Sequence, residues 1–261
     1  LLSIEATDTA PVHADDAFFH PIKRNFRQDV VQCLYSAIDH LRFLAWSLKT
    51  HEAPFPYAQA SLIRAAINGA STALSMVSGT TEERRARALE FKYNDLKSHQ
   101  KWLNLIASEP VNQARPGDEM AKVAGMQAAL DQRLAWILQE ATTLLAPTAS
   151  FTNRKYSEQL ATESSIVQYA GSRVTVLDAG EGWDTGQLLL QTWQLLSGYS
   201  HARPWASAYG SKHVIVDDIP DGKTGTIQVA VEGNPDRLLD YAFRALRVSE
   251  AAIGGLEAIS Q

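Results

Sequence analysis

The strongest constraint on this chain is a succession of long amphipathic stretches, each with apolar residues spaced about 3.6 positions apart. Between Asn25 and Thr50, the residues Val30, Leu34, Ile38, Leu41, Ala45 and Leu48 recur at steps of three and four, which lines them along one helix face. Tyr35, Phe43 and Trp46 add apolar surface to the adjacent faces, so this helix is expected to be central. Two prolines in "HEAPFPY" end it, because proline has no amide proton for the helical ladder. A second helix, from about Tyr57 to Ser78, gathers Ala65, Ala66, Gly69, Ala70 and Ala73, small residues that let a neighbouring helix approach closely. Gly79 stops it, and Thr80 with Glu83 has the spacing of a capping box, opening a third helix to about Ser108. Leu89, Trp102, Leu103 and Ile106 are its expected anchors.

A fourth helix runs from Asp118 to about Leu145, with Met126, Leu130, Leu134, Ile137, Leu138 and Leu144 inward. A short helix follows over about Ser157 to Ala170, then a β-prone segment, "SRVTVLD". The next helix spans about Thr185 to Ala208 and is bent near Gly198 and Pro204. "HVIVDDI" and "GTIQVAV" are β-branched and flank the turn residues of "PDGKT", which predicts a hairpin over about 213–231. Asn234 as cap and Pro235 at the first helical position then open a last helix, striped by Leu238, Leu239, Ala242, Leu246, Ser249, Ile253 and Leu256. Residues 1–22, with two prolines and no periodicity, read as an extended N-terminal arm. The fold expected is all-α: a helical bundle of about six to seven helices in a single domain over residues 23–261, with one β-hairpin near the C-terminus.

Composition narrows the function. A net charge of −5 and a pI near 5.8 lack the footprint of a general nucleic-acid binder. The densest basic run, residues 82–101, alternates with acids and reads as a solvated helix face. The one cysteine, Cys33, sits in an apolar helical context and reads as a core residue. No run approaches the length of a membrane span, and the expected location is the cytoplasm. The seven histidines show no metal-ligand spacing, "DGKTG" lacks the context of a phosphate loop, and no serine sits in an elbow motif, so neither metal nor cofactor is expected.

Two polar constellations interrupt the apolar pattern. Arg64, Asn68, Ser71 and Ser75 share one face of the second helix, and Asp39 beside His40 is the carboxylate expected to neutralise Arg64. In "LLSGYSHARPWASAYG", residues 195–210, Ser197 and His201 lie one turn apart and are followed by Arg203 and Trp205. Such a knot serves either as a helix terminus, where cations sit beside unpaired carbonyls, or as a site with His201 as acid or base and Arg203 as an anion clamp. Asp39, His40, Arg64, Asn68, Ser197, His201, Arg203 and Trp205 are the candidate ligand-binding residues, and His201 with Arg203 the candidate catalytic pair.

"LIRAAINGASTAL" (62–74) together with "WQLLSGYSHARPWA" (193–206) resembles a group of uncharacterised all-helical proteins found mainly in actinobacteria. A wider resemblance is to HEPN-like helical bundles, some of which are metal-independent ribonucleases of toxin-antitoxin and phage-defence systems. Their cleavage motif has an arginine four to six residues before a histidine. Here Leu195, Leu196 and Ser197 stand before His201, and Arg203 follows it, so the resemblance requires another helix to supply the cation. The residues leave open whether the chain is an enzyme. The leading expectation is a noncatalytic binding or regulatory bundle for a small molecule or protein partner, with a polar pocket around Arg64 and His201. The alternative is an HEPN-like ribonuclease or other hydrolase using His201, and a homodimer through apolar helices is a third.

Overall fold

Local capping chemistry sets several of the helix ends. The computed structural model describes residues 4–50, 55–108, 117–145, 151–174 and 184–261. Among these, the elements are α1 (Pro11–Phe18), a 3-10 turn (His20–Ile22), α2 (Phe26–Thr50), α3 (Pro56–Val77), α4 (Thr81–Ser108), α5 (Gly117–Leu145), α6 (Asn153–Gln159), α7 (Glu163–Ser172), α8 (Thr185–Ser200), α9 (Pro204–Gly210), β1 (Ser211–Asp217), β2 (Gln228–Gly233) and α10 (Pro235–Ile259). The capping box forms as its spacing predicts: the Thr80 amide donates to Glu83 Oε2 at 2.9 Å and the Glu83 amide to Thr80 Oγ1 at 3.3 Å. Gly79, at φ +81°, takes the left-handed conformation that closes α3.

The described residues hold ten α-helices rather than six to seven. The run read as one helix near Ser157–Ala170 is two, separated by extended Leu160 and restarted by Thr162, whose hydroxyl accepts from the Ser165 amide. The Thr185–Ala208 run likewise breaks into α8 and α9. The arm read as extended over residues 1–22 carries α1, because Pro11 occupies the first helical position, where no amide proton is needed. The β-prone segment falls mostly outside the described residues. No described helix is long and apolar enough to cross a membrane.

The chain divides into two compact units. The first, chiefly Asp29–Val77 and Thr162–Ile259, is built around α3, against which α7, α8 and α10 all pack. This central place belongs to α3 rather than α2, since Phe43 and Trp46 on α2 are each 54% exposed. Ile63, Ala66, Ile67, Ala70 and Ala73 of α3 are fully buried, and small side chains permit the crowding. A Cβ on Gly69 would stand 2.7 Å from the Cys33 carbonyl of α2, and one on Gly255 of α10 would meet Val77 at 2.5 Å. Gln59 ties the α2–α3 corner, donating to Ser47 Oγ at 3.0 Å and accepting from the Phe55 amide at 3.1 Å.

The second unit, Glu5–Gln28 with Ser78–Ala161 and Ser260–Gln261, centres on the packed pair α4 and α5. Its polar pin is Asp15, fully buried on α1. Asp15 Oδ2 accepts from Arg84 Nε at 2.9 Å and Nη2 at 2.8 Å, and Oδ1 accepts from Arg85 Nε at 3.0 Å. Lys92 is also fully buried, its ammonium 4.5 Å from the Phe19 ring centre and donating to the Asn25 carbonyl. The basic run on α4 is therefore not a wholly solvated face: Arg84, Arg85 and Lys92 hold the N-terminal segment in place. Trp102, expected as an anchor, is exposed, while Leu89 and Leu103 are buried.

Candidate functional site

The knot at residues 195–210 is a helix corner. At the end of α8 the amides of His201, Ala202 and Arg203 donate back to the carbonyls of Ser197, Tyr199 and Gly198 at 3.0, 2.9 and 2.8 Å. Ala202 takes φ +50°, the left-handed turn that reverses the chain. Pro204 then starts α9. A Cβ on Gly198 would lie 2.6 Å from Ala206 Cβ and 2.8 Å from Trp205 Cζ2, so glycine here lets α9 fold back onto α8. His201, Arg203 and Trp205 are exposed on the outside of this corner. The polar residues thus answer the demands of a helix terminus, supplying the sharp turn and its solvated rim.

Arg64, Asn68 and Ser197 do converge. Arg64 Nε donates to Ser197 Oγ at 2.8 Å, and its guanidinium lies 5.3 Å from the Trp193 ring centre. Trp193 Nε1 donates to Asn68 Oδ1 at 2.5 Å. The carboxylate partner is Glu163, at 3.2 Å from Arg64 Nη2, and not Asp39. Asp39 and His40 belong to a different hollow, lined also by Arg42, Phe43, Trp46 and Leu62, and His40 Nδ1 bonds the Ser36 carbonyl of its own helix at 2.6 Å. Glu163 and Trp193 were absent from the sequence-based candidates. A first-turn acid behind an N-cap threonine was the available signal for Glu163, but nothing local aims it at Arg64. Ser71 is fully buried on the same α3 face, and its hydroxyl has no hydrogen-bond partner among the described residues.

Chemically, the Arg64 cluster is a cation paired with Glu163 in a hydrogen-bonded net. Perturbed groups lie elsewhere. Burial pushes the Tyr199 hydroxyl above its ordinary value against a 2.7 Å hydrogen bond with Ser211. Burial likewise raises Tyr241, and in the second unit it raises Glu90 and Tyr156. No group of three or more histidine, cysteine or acidic residues that could hold a metal occurs among the described residues.

One concavity of the first unit is apolar. A groove of about 750 Å³ runs between α2 and α10, lined by Ile38, Leu41 and Leu48 on one side and Leu239, Phe243 and Leu246 on the other. Leu239 is 56% exposed, Phe243 45% and Leu246 44%. The charged residues lining the groove, Arg42 and Lys49, are both basic. The helical stripes that sequence periodicity assigned to the core are thus only partly covered: Leu239 and Leu246 of α10 are exposed, and Ile38, Leu41 and Leu48 of α2 are half-buried along this groove.

Comparison with protein-family models, with curated proteins and with solved structures finds no match.

Proposed function

We propose that this chain is a noncatalytic protein-binding module, whose α2–α10 groove takes an amphipathic helix with acidic flanks. The observation that carries the reading is the exposure of Leu239, Phe243 and Leu246 along one side of an apolar groove whose charged lining is basic. Exposed apolar patches of this kind mark interaction surfaces, and apolar residues at helical spacing are the signature of helix-in-groove recognition. Arg42 and Lys49 select the acidic rim of the guest by charge complementarity. The polar residues around Arg64 then hold the α3–α8 crossing beside the binding surface rather than forming it.

The test is fluorescence anisotropy with a labelled peptide of about 18 residues, leucines at helical spacing and glutamates between them. The expected result is saturable binding in the micromolar range, weakened about tenfold or more by Leu246→Glu and by Arg42→Glu. Absence of binding, or binding indifferent to both changes, overturns the reading.

One observation favours a second reading, the ribonuclease. Arg64 bonds Ser197, one turn before His201, which is where the HEPN resemblance asks for a cation from another helix. That reading expects RNA cleavage by the purified protein, abolished by His201→Ala and Arg64→Ala with the fold intact.

A further inference from the structure

One face of the β-hairpin is largely apolar and uncovered. In the β1–β2 register His213 opposes Val231 and Ile215 opposes Val229, while Lys212 opposes Glu232 and Val214 opposes Ala230. Residues directly opposite share a face, so Ile215, Val229 and Val231 stand with His213 on one side, and the Lys212–Glu232 and Val214–Ala230 pairs on the other. Ile215, Val229 and Val231 are all exposed, Ile215 at 58%. Among the described residues, only the root is docked: Gly233 and Gly210 are buried, and Tyr199 reaches the Ser211 hydroxyl. A two-stranded ribbon is marginal alone and gains stability from further strands and a covered apolar face.

The two outer edges differ. On β1 the pairing slips between Ile215 and Asp217, leaving Val216 as an extra residue, and such bulges blunt an edge against further pairing. On β2 the register is continuous from Gln228 to Gly233, and no third strand borders it among the described residues. Its sequence, Gln228-Val229-Ala230-Val231-Glu232, is nearly palindromic about Ala230. A self-complementary strand is what an isologous contact requires. Antiparallel pairing centred on Ala230 sets Ala230 against itself, Val229 against Val231 of the second copy, and Gln228 against its Glu232. It therefore opposes no like charges. The hairpin's acids, Asp217, Asp218, Asp221 and Glu232, outnumber Lys212 and Lys223, which disfavours a nucleic-acid strand as the occupant.

We propose that the β2 edge pairs with the β2 edge of a second copy of this chain, joining two hairpins into a four-stranded sheet with one continuous apolar face. The inference stands on the hairpin and is independent of the α2–α10 groove.

Sedimentation of the whole chain tests it. The wild type is expected at twice the 28.7 kDa chain mass. Ala230→Lys, which sets two ammonium groups face to face at the axis, is expected to weaken dimerisation about tenfold or more without changing the circular dichroism. Leu246→Glu in the groove is expected to leave the mass unchanged. Should Ala230→Lys disturb folding, Ala230→Cys in a Cys33→Ser background decides: pairing at Ala230 predicts a reducible covalent dimer, with no crosslink from Lys223→Cys in the same background. A wild type that stays at 28.7 kDa at about 100 µM, a dimer indifferent to Ala230→Lys, or failure of the Ala230→Cys crosslink overturns the proposal. The groove reading is untouched by any of these results.

Discussion

Trp205 lies over Gly198 with its Cζ2 only 2.8 Å from where a Cβ would stand, and this contact fixes the corner between α8 and α9. Gly198→Ala must push the indole and Ala206 aside together. Overpacking of this kind costs about 1–3 kcal/mol, and urea unfolding should show it. At the neighbouring Ala202, held at φ +50°, glycine relieves the left-handed strain, so Ala202→Gly is expected to be neutral or stabilising. Equal losses at both positions would mean the corner is not built as described.

Asp15 is a buried acid that pins α1 to α4, and it serves two arginines. Removing one partner of a buried ion pair leaves an uncompensated charge, at a cost of about 3–5 kcal/mol. Asp15→Ala should therefore unfold at much lower denaturant than wild type. Asp95→Ala, which breaks a half-exposed pair with Arg24, should cost at most about 1 kcal/mol.

Glu90 predicts a pH signature. Burial raises its carboxyl above the ordinary 4.5, against a weak hydrogen bond from the Ala161 amide and the attraction of Arg87. With the folded value above the unfolded one, the contribution to stability is fully present below pH 4.5 and is lost as pH rises through the folded value. Glu90→Gln should thus gain stability over wild type at about pH 7 and lose that advantage near about pH 4. Parallel stability-pH curves for the two proteins would contradict this placement of Glu90.

The buried Ser71 hydroxyl gives a smaller test. A buried polar group without a partner carries its desolvation cost uncompensated. Ser71→Ala should therefore be neutral or stabilising in thermal melts, whereas a loss would reveal a partner for this hydroxyl.

Periodicity located α2 through α5 and α10 because each carries a long stripe and a definite start or stop, as at Thr80, Gly79 and Asn234. It failed where a short helix begins with proline, as at Pro11 and Pro204, since the same residue also reads as a breaker. Arg64, Asn68 and Ser197 were legible as candidates, in two separate constellations, because polar residues stand out on Ala-rich and Leu-rich faces; that Arg64 meets Ser197 was not. Glu163 and Trp193 were not, because their meeting with Arg64 and Asn68 depends on how three helices cross. The groove was hidden for a related reason: a stripe such as Leu239, Phe243 and Leu246 looks the same whether its neighbour covers it or leaves it open. Arg84 and Lys92 show the converse, charges that pattern as solvent-facing until α1 and Phe19 are laid on them.

The central claim is that recognition occurs in the α2–α10 groove and not at the α8–α9 corner. Hydrogen exchange of the whole chain, with and without the acidic amphipathic peptide, addresses it most directly. The account predicts slowed exchange over residues 38–49 and 239–246 and no change over 197–209. Protection confined to the His201 corner, or no protection anywhere under saturating peptide, would contradict it.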